Sequence, residues 1–218
     1  MLFREVSRIL GKYFLYLAAI FLLPLVVAII EELVLGKIYF QTPAMFAFLE
    51  AIAISLACSR LFQFFGKKAE GTLYRKESIL LVSLIWFITA GFGALPFLFT
   101  QTIPNPIDAY FESMSGLTTT GATILQTKAY DSSGQEVAIS LPNPNDSAMI
   151  YTFYGTIPPL RDPATETVLK TGIEALGQPL LFWRVFLQWL GGMGIVVLFI
   201  AILPALSMGG KFLFETES

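Results

Sequence analysis

Apolar residues along this chain gather in long runs, and the charged residues crowd into the intervals between them. A bilayer core about 30 Å thick takes roughly 20 apolar residues to cross as a helix. Four runs meet that length and are predicted to span: Tyr13 to Ile30, Thr42 to Ser59, Ser78 to Thr100 and Val185 to Leu206, with Glu50 in the second as the single charge among them. The first run is followed by Glu31 and Glu32 and lacks a small-residue cleavage pattern, so it reads as an uncleaved span rather than a signal peptide.

Between the third and fourth runs the pattern changes. Asn105-Pro106 stops the chain and presets a helix start, and Ile107, Tyr110, Phe111 and Met114 recur at three- and four-residue spacing, so Pro106 to Gly116 is predicted helical. Eleven residues at 1.5 Å each make about 16 Å, roughly half the apolar thickness. Such a helix enters a bilayer without crossing it. The next residues, Leu117-Thr118-Thr119-Thr120-Gly121-Ala122-Thr123, are poor helix formers, rich in hydroxyls and hinged at glycine, which predicts a re-entrant loop. Non-helical backbone at membrane depth survives only where protein buries it or where it lines a wet cavity, a restriction that points to a pore. A dehydrated potassium ion needs a cage of oxygens, and Gly121 tolerates the dihedrals that turn successive carbonyls toward it. The backbone oxygens of Thr119, Thr120 and Gly121 are the expected ligands.

Orientation follows from lysine and arginine, which are retained on the cytoplasmic side. Arg4, Arg8, Lys12, Arg60, Lys67, Lys68, Arg75, Lys76 and Lys211 lie on one face; Lys37, Lys128, Arg161, Lys170 and Arg184 lie on the other. Both termini are therefore placed inside and Gln101 to Arg184 outside; with Glu31, Glu32 and Lys37 counted in, the outer face holds ten carboxylates against five bases, an electronegative surface that concentrates cations.

Composition narrows the chemistry. The chain of 218 residues is 55% hydrophobic and 14% charged with a mean hydropathy of +0.69, against about a quarter charged in ordinary globular proteins. With no histidine and only Cys58, it has no intramolecular disulfide, no Cys/His zinc site and no histidine-dependent nucleophile relay. Neither an enzyme nor a cofactor is expected, potassium being the cargo. A net charge of −2 without a basic block argues against nucleic-acid binding.

Two stretches, Asp108-Ala-Tyr-Phe-Glu-Ser-Met-Ser-Gly-Leu-Thr-Thr-Thr-Gly-Ala-Thr123 and Trp183-Arg-Val-Phe-Leu-Gln-Trp-Leu-Gly-Gly-Met-Gly-Ile-Val-Val-Leu198, closely resemble the Trk/Ktr/HKT superfamily of potassium transporters, in particular its TrkH-type bacterial members. The resemblance implies an all-α membrane protein of four transmembrane helices plus one re-entrant pore helix and filter loop. Residues 1–77 then match an accessory helix pair with a cytoplasmic loop, and residues 78–218 the first of four helix–pore loop–helix repeats, with an outer insert at about 126–178 that is longer than usual for the family. Gly121 falls on the filter glycine, flanked by Thr118, Thr119, Thr120 and Ala122. Serine at this position goes with sodium preference in some plant relatives, so glycine implies potassium. Also implied are three further repeats as partners, a homodimer, a cytosolic nucleotide-binding regulatory subunit, and the bacterial inner membrane with its lipid bilayer as location. The chain reads as an N-terminal portion of the family's usual length. The expected function is potassium transport, this chain supplying one of four filter segments; the alternative is a non-conducting subunit that docks on a full-length transporter.

Several residues carry two readings. Asp108 and Glu112, one turn apart on the short helix, either draw cations to the outer mouth or support the filter by hydrogen bonds; support is preferred for Glu112, and Asp108 also suits the positive end of the helix dipole. Glu50 is a candidate for ion handling or a headgroup-level residue. Arg184 reads as a snorkelling anchor and Trp183 as part of an interfacial belt. Gly191, Gly192 and Gly194 read as close helix packing rather than a hinge, and Cys58 as a buried thiol. In the insert, Asn143-Pro144-Asn145 and Pro158-Pro159 mark turns, and Tyr151 to Tyr154 suits a short strand.

Overall fold

The computed structural model describes residues 2–35, 42–67, 71, 75–143, 146–162 and 165–215. Lys37, Lys68, Pro144 and Asn145 lie outside the described residues. Five α-helices run in chain order: α1 (Leu2–Leu35), α2 (Thr42–Gly66), α3 (Arg75–Phe99), α4 (Pro106–Leu117) and α5 (Gln178–Glu215). All but α4 are long and apolar enough to cross a membrane. At most 39% of the most apolar stretch of any of them is buried within the protein, and large side chains such as Leu22, Leu23, Val26, Phe46, Leu80 and Phe87 face outward. In water so broad an apolar surface would drive association; hydrocarbon is the solvent that suits it.

Helix α3 starts three residues before its apolar run, and α1 and α5 start much earlier than theirs, each of these two for a local reason. The charged start of α1 is helical because Glu5 and Arg8, one turn apart and 2.9 Å from each other, together grip Gly71: its N–H donates to Glu5 Oε1 at 2.6 Å and its carbonyl accepts from Arg8 at 3.2 Å. The start of α5 at Gln178 is set by Pro179 in the first turn, which is buried and whose fixed φ suits a helix beginning. The seven extra residues carry Trp183 and Arg184 into the helix.

Trp183 is fully buried rather than interfacial. Its ring packs on Phe21 of α1 at 4.8 Å and Phe48 of α2 at 6.2 Å, and its indole N–H donates to the Gly93 carbonyl of α3 at 2.9 Å. One hydrophobic cluster therefore runs from α1 and α2 through Phe97 of α3 and Ala109 of α4 to Leu187 of α5. Cys58 is half-buried, not enclosed.

Among the described residues the outer insert carries three antiparallel hairpins, so the fold is mostly helical rather than all-α. They are β1 (Ala129–Tyr130) with β2 (Glu136–Val137), β3 (Ile139–Asn143) with β4 (Asp146–Phe153), and β5 (Leu160–Arg161) with β6 (Val168–Lys170), followed by a 3-10 turn at Gly172–Ala175. Strand β4 takes in Tyr151 to Phe153. The turn of the first hairpin is organised by Asp131, whose carboxylate accepts from the Ser133 hydroxyl and from the backbone N–H groups of Ser133 and Gln135; those bonds hold its pKa below the usual carboxylate value.

Candidate functional site

Helix α4 begins as its sequence predicts. The Asn105 side chain accepts the Ile107 N–H at 2.9 Å, and Pro106 occupies the first helical position. Its faces are reversed relative to a helix of a soluble core: Ile107 and Phe111 are exposed, whereas Ala109, Glu112, Ser113, Ser115 and Gly116 are buried. Small and polar residues mediate close approach between membrane helices, where apolar side chains gain nothing by leaving lipid.

The helix ends in a Schellman closure. Thr119 N–H donates to Gly116 O at 3.0 Å, Thr120 N–H to Ser115 O at 3.1 Å, and Thr118 N–H to Met114 O at 2.8 Å. Thr119 takes the left-handed position with φ of 58° and Gly121 follows with φ of 77°. Left-handed backbone is ordinary for glycine but strained for β-branched threonine. A trans peptide holds its C=O opposite its N–H. With the N–H groups of residues 118 to 120 turned back on the helix, the carbonyls of Leu117, Thr118 and Thr119 are directed away from its end. Leu117 O is covered by α5, where a Cβ on Gly191 would overlap it. Thr118 to Thr123 are all exposed. The hydroxyls are ordered too. Thr118 Oγ1 donates to Met114 O at 2.9 Å, so the 2.8 Å contact between Thr118 and Thr120 hydroxyls is donated by Thr120, whose lone pairs stay free.

Beyond Gly121 the backbone is tied down on the α4 side. Ser115 Oγ donates to Ala122 O at 2.6 Å. Glu112, with a fully buried side chain, accepts from Thr123 Oγ1 at 3.0 Å on both oxygens and from the Ile124 N–H at 3.0 Å, and is paired with Arg184 Nε at 2.6 Å. Arg184 is therefore no snorkelling anchor: entry into α5 places it 16% exposed against a buried carboxylate, where charge neutralisation outweighs the reach to water. Asp108 sits half-exposed in the first turn, outside this network, and Glu50 is exposed on α2. Sequence reasoning missed Ser115 and Arg184 as partners. The available signals were a hydroxyl one turn beyond Glu112 and a lone base beside an apolar run, which needs a counter-charge.

Three glycines let the helices close on α4. A Cβ on Gly93 would overlap Ser113 Oγ, one on Gly116 would lie 3.3 Å from Leu187 Cβ, and Gly191 abuts Leu117 as above. Among the described residues Gly192 has no such neighbour, and a Cβ on Gly194 would make an ordinary 3.4 Å contact with Trp86. Close packing thus applies to Gly191 among the three glycines of that stretch.

No family model matches the chain. The Trk system potassium uptake protein TrkH of Escherichia coli (strain K12) is 32% identical over 217 residues, 99% of this chain and 34% of the relative. TrkH of Halomonas elongata is 33% identical over 215 residues, 98% of this chain and 33% of the relative. TrkI of the same organism is 30% identical over 213 residues, 98% of this chain and 32% of the relative. The chain thus spans about a third of the length of these relatives, and the match extends over the outer insert as well as α4 and the loop behind it. With two ordered motifs and similarity along nearly its whole length, this chain is similar to Trk-type potassium uptake proteins over about a third of their length.

Proposed function

We propose that this chain forms part of a potassium transporter in a bacterial inner membrane, and that residues 118 to 122 supply one of the segments of its selectivity filter. The observation that carries the reading is the closed end of α4, which turns peptide N–H groups inward and leaves the carbonyls of Thr118 and Thr119 directed outward, continued by left-handed Gly121. Those oxygens, with the carbonyls of Thr120 and Gly121 and the free lone pairs of Thr120 Oγ1, are cation ligands; the Ala122 carbonyl is already engaged by Ser115. The partly negative end of the helix dipole adds to the attraction.

Depth supports the same reading. Leu117 meets α5 at Gly191, thirteen residues beyond Gln178, which at 1.5 Å per residue is about 20 Å along the helix. With Gln178 taken as the outer end of the span, that is well into an apolar core about 30 Å thick, which supports a re-entrant α4 and loop that enter with the outer insert and return to it. Residues 1–77 act as the accessory pair and residues 78–218 as one pore repeat, completed by others. The names of the relatives speak of potassium uptake, and a docking subunit that conducts nothing would not need carbonyls turned away from the helix end in an exposed loop.

The test is Gly121→Ser in the assembled transporter. Among the described residues a Cβ there would meet only Gln188 Nε2, at 3.7 Å, so the change acts through the backbone, where left-handed geometry costs an L-residue ~1–2 kcal/mol. Potassium-over-sodium uptake is expected to fall by up to about thirtyfold, the factor equivalent to ~2 kcal/mol; an unchanged ratio at equal protein level would overturn the filter assignment.

A further inference from the structure

The outer limb of the loop does not run free after Ile124. It is paired, in parallel, with a segment of the insert more than two dozen residues later in the chain. Thr156 N–H and Ile157 N–H both donate to Gln126 O, at 2.8 and 2.9 Å, and Lys128 N–H donates to Ile157 O at 2.8 Å. The Thr156 hydroxyl donates to Ile124 O at 3.3 Å and accepts from the Gln126 N–H at 3.3 Å. Gly155 lies so close that a Cβ on it would overlap Thr127 O. Leu125 and Ile157 are 5% and 2% exposed in the same apolar cluster as Leu176 and Leu180, which seats the joint on the start of α5.

Ile124 is therefore held from two sides. Its N–H is bound by Glu112, itself paired with Arg184 of α5, and its carbonyl is bound by Thr156 of the insert. A continuous hydrogen-bonded chain runs from α5 through the limb of the loop into the insert, three residues from Gly121. We infer that the insert is a brace that positions the ion-coordinating loop, with Thr156 as its joint and Gly155 as the residue that permits the approach. This rests on the filter reading of residues 118 to 122. Thr156 touches no ion; it acts through Ile124, setting how far the limb swings and so the spacing of the oxygens before it. A cage of backbone oxygens discriminates between alkali ions by that spacing and its stiffness.

The experiment compares Thr156→Val, which keeps the shape and removes both side-chain hydrogen bonds, with Thr156→Ser, which restores them, and with Gly155→Ala, which forces the strands apart. Each is placed in the assembled transporter in cells lacking other potassium uptake, and potassium, rubidium and sodium uptake are measured against membrane protein level, with Gly121→Ser alongside. Thr156→Val and Gly155→Ala are expected to lower potassium-over-sodium selectivity by about fivefold, the factor that one ordinary hydrogen bond is worth, at unchanged protein level, and Thr156→Ser to recover it. If the ratio stays at the parental value in both while Gly121→Ser changes it, the brace is overturned and the filter reading stands. If Gly121→Ser changes nothing either, both fall.

Discussion

Glu112 is a single carboxylate that serves three partners: Arg184, the Thr123 hydroxyl and the Ile124 amide. Its two oxygens present about four lone-pair directions, so one ionised group satisfies all of them. Removing one partner of a buried ion pair leaves the other charge uncompensated, which costs about 3–5 kcal/mol; the slight exposure of Arg184 favours the low end. Glu112→Gln is accordingly expected to lower the melting temperature of the detergent-solubilised protein, and Glu112→Gln with Arg184→Gln to cost less than the sum of the two single changes. Additive losses would show that the pair does not act as a unit. That Glu112 hydrogen-bonds the following loop was legible from its place on a short helix that runs straight into it. That Arg184 neutralises it was not, because the two are 72 residues apart and no local pattern connects them. The strain at Thr119 was equally hidden: composition makes glycine the natural left-handed residue, and only the closure of α4 forces a threonine into that region.

At the scale of elements, α4 is defined by its ends and by what its small residues permit. Asn105-Pro106 was readable as a start, and the half-span length as a helix that does not cross. The apolar spacing located the helix but did not say which face packs: Ile107 and Phe111 look outward while Gly116, Ser113 and Ser115 make the contacts. The glycines of α5 divide in a testable way. Alanine in a helix interior is intrinsically favoured over glycine by about 1 kcal/mol, so Gly192→Ala, with no atom of the described residues within 4 Å of its Cβ, should leave melting unchanged or raise it. Gly191→Ala has to displace the Leu117 carbonyl and should cost about 2 kcal/mol or more, in the range of overpacked sites. Equal behaviour of the two variants in a thermal melt would contradict the packing of α4 on α5.

Across the whole molecule, the distribution of basic residues predicts which side each loop occupies. In cells expressing the chain with Cys58→Ser, a cysteine introduced by Ser133→Cys in the exposed turn of the first hairpin should react with a membrane-impermeant thiol reagent added outside; reaction only after permeabilisation would invert the topology. Spans, half-span and charge asymmetry are all written locally, in runs of about twenty residues or fewer, because bilayer thickness and helical rise act on consecutive positions. These features could be read before any coordinates. Whether Trp183 faces an interface or a core, which group neutralises Glu112, which glycine is indispensable and what the outer insert leans on could not. Each depends on residues brought together from distant parts of the chain, Phe21 and Phe48 on Trp183, Leu117 on Gly191, Thr156 on Ile124, and burial and hydrogen bonding between such residues exist only once the helices have packed.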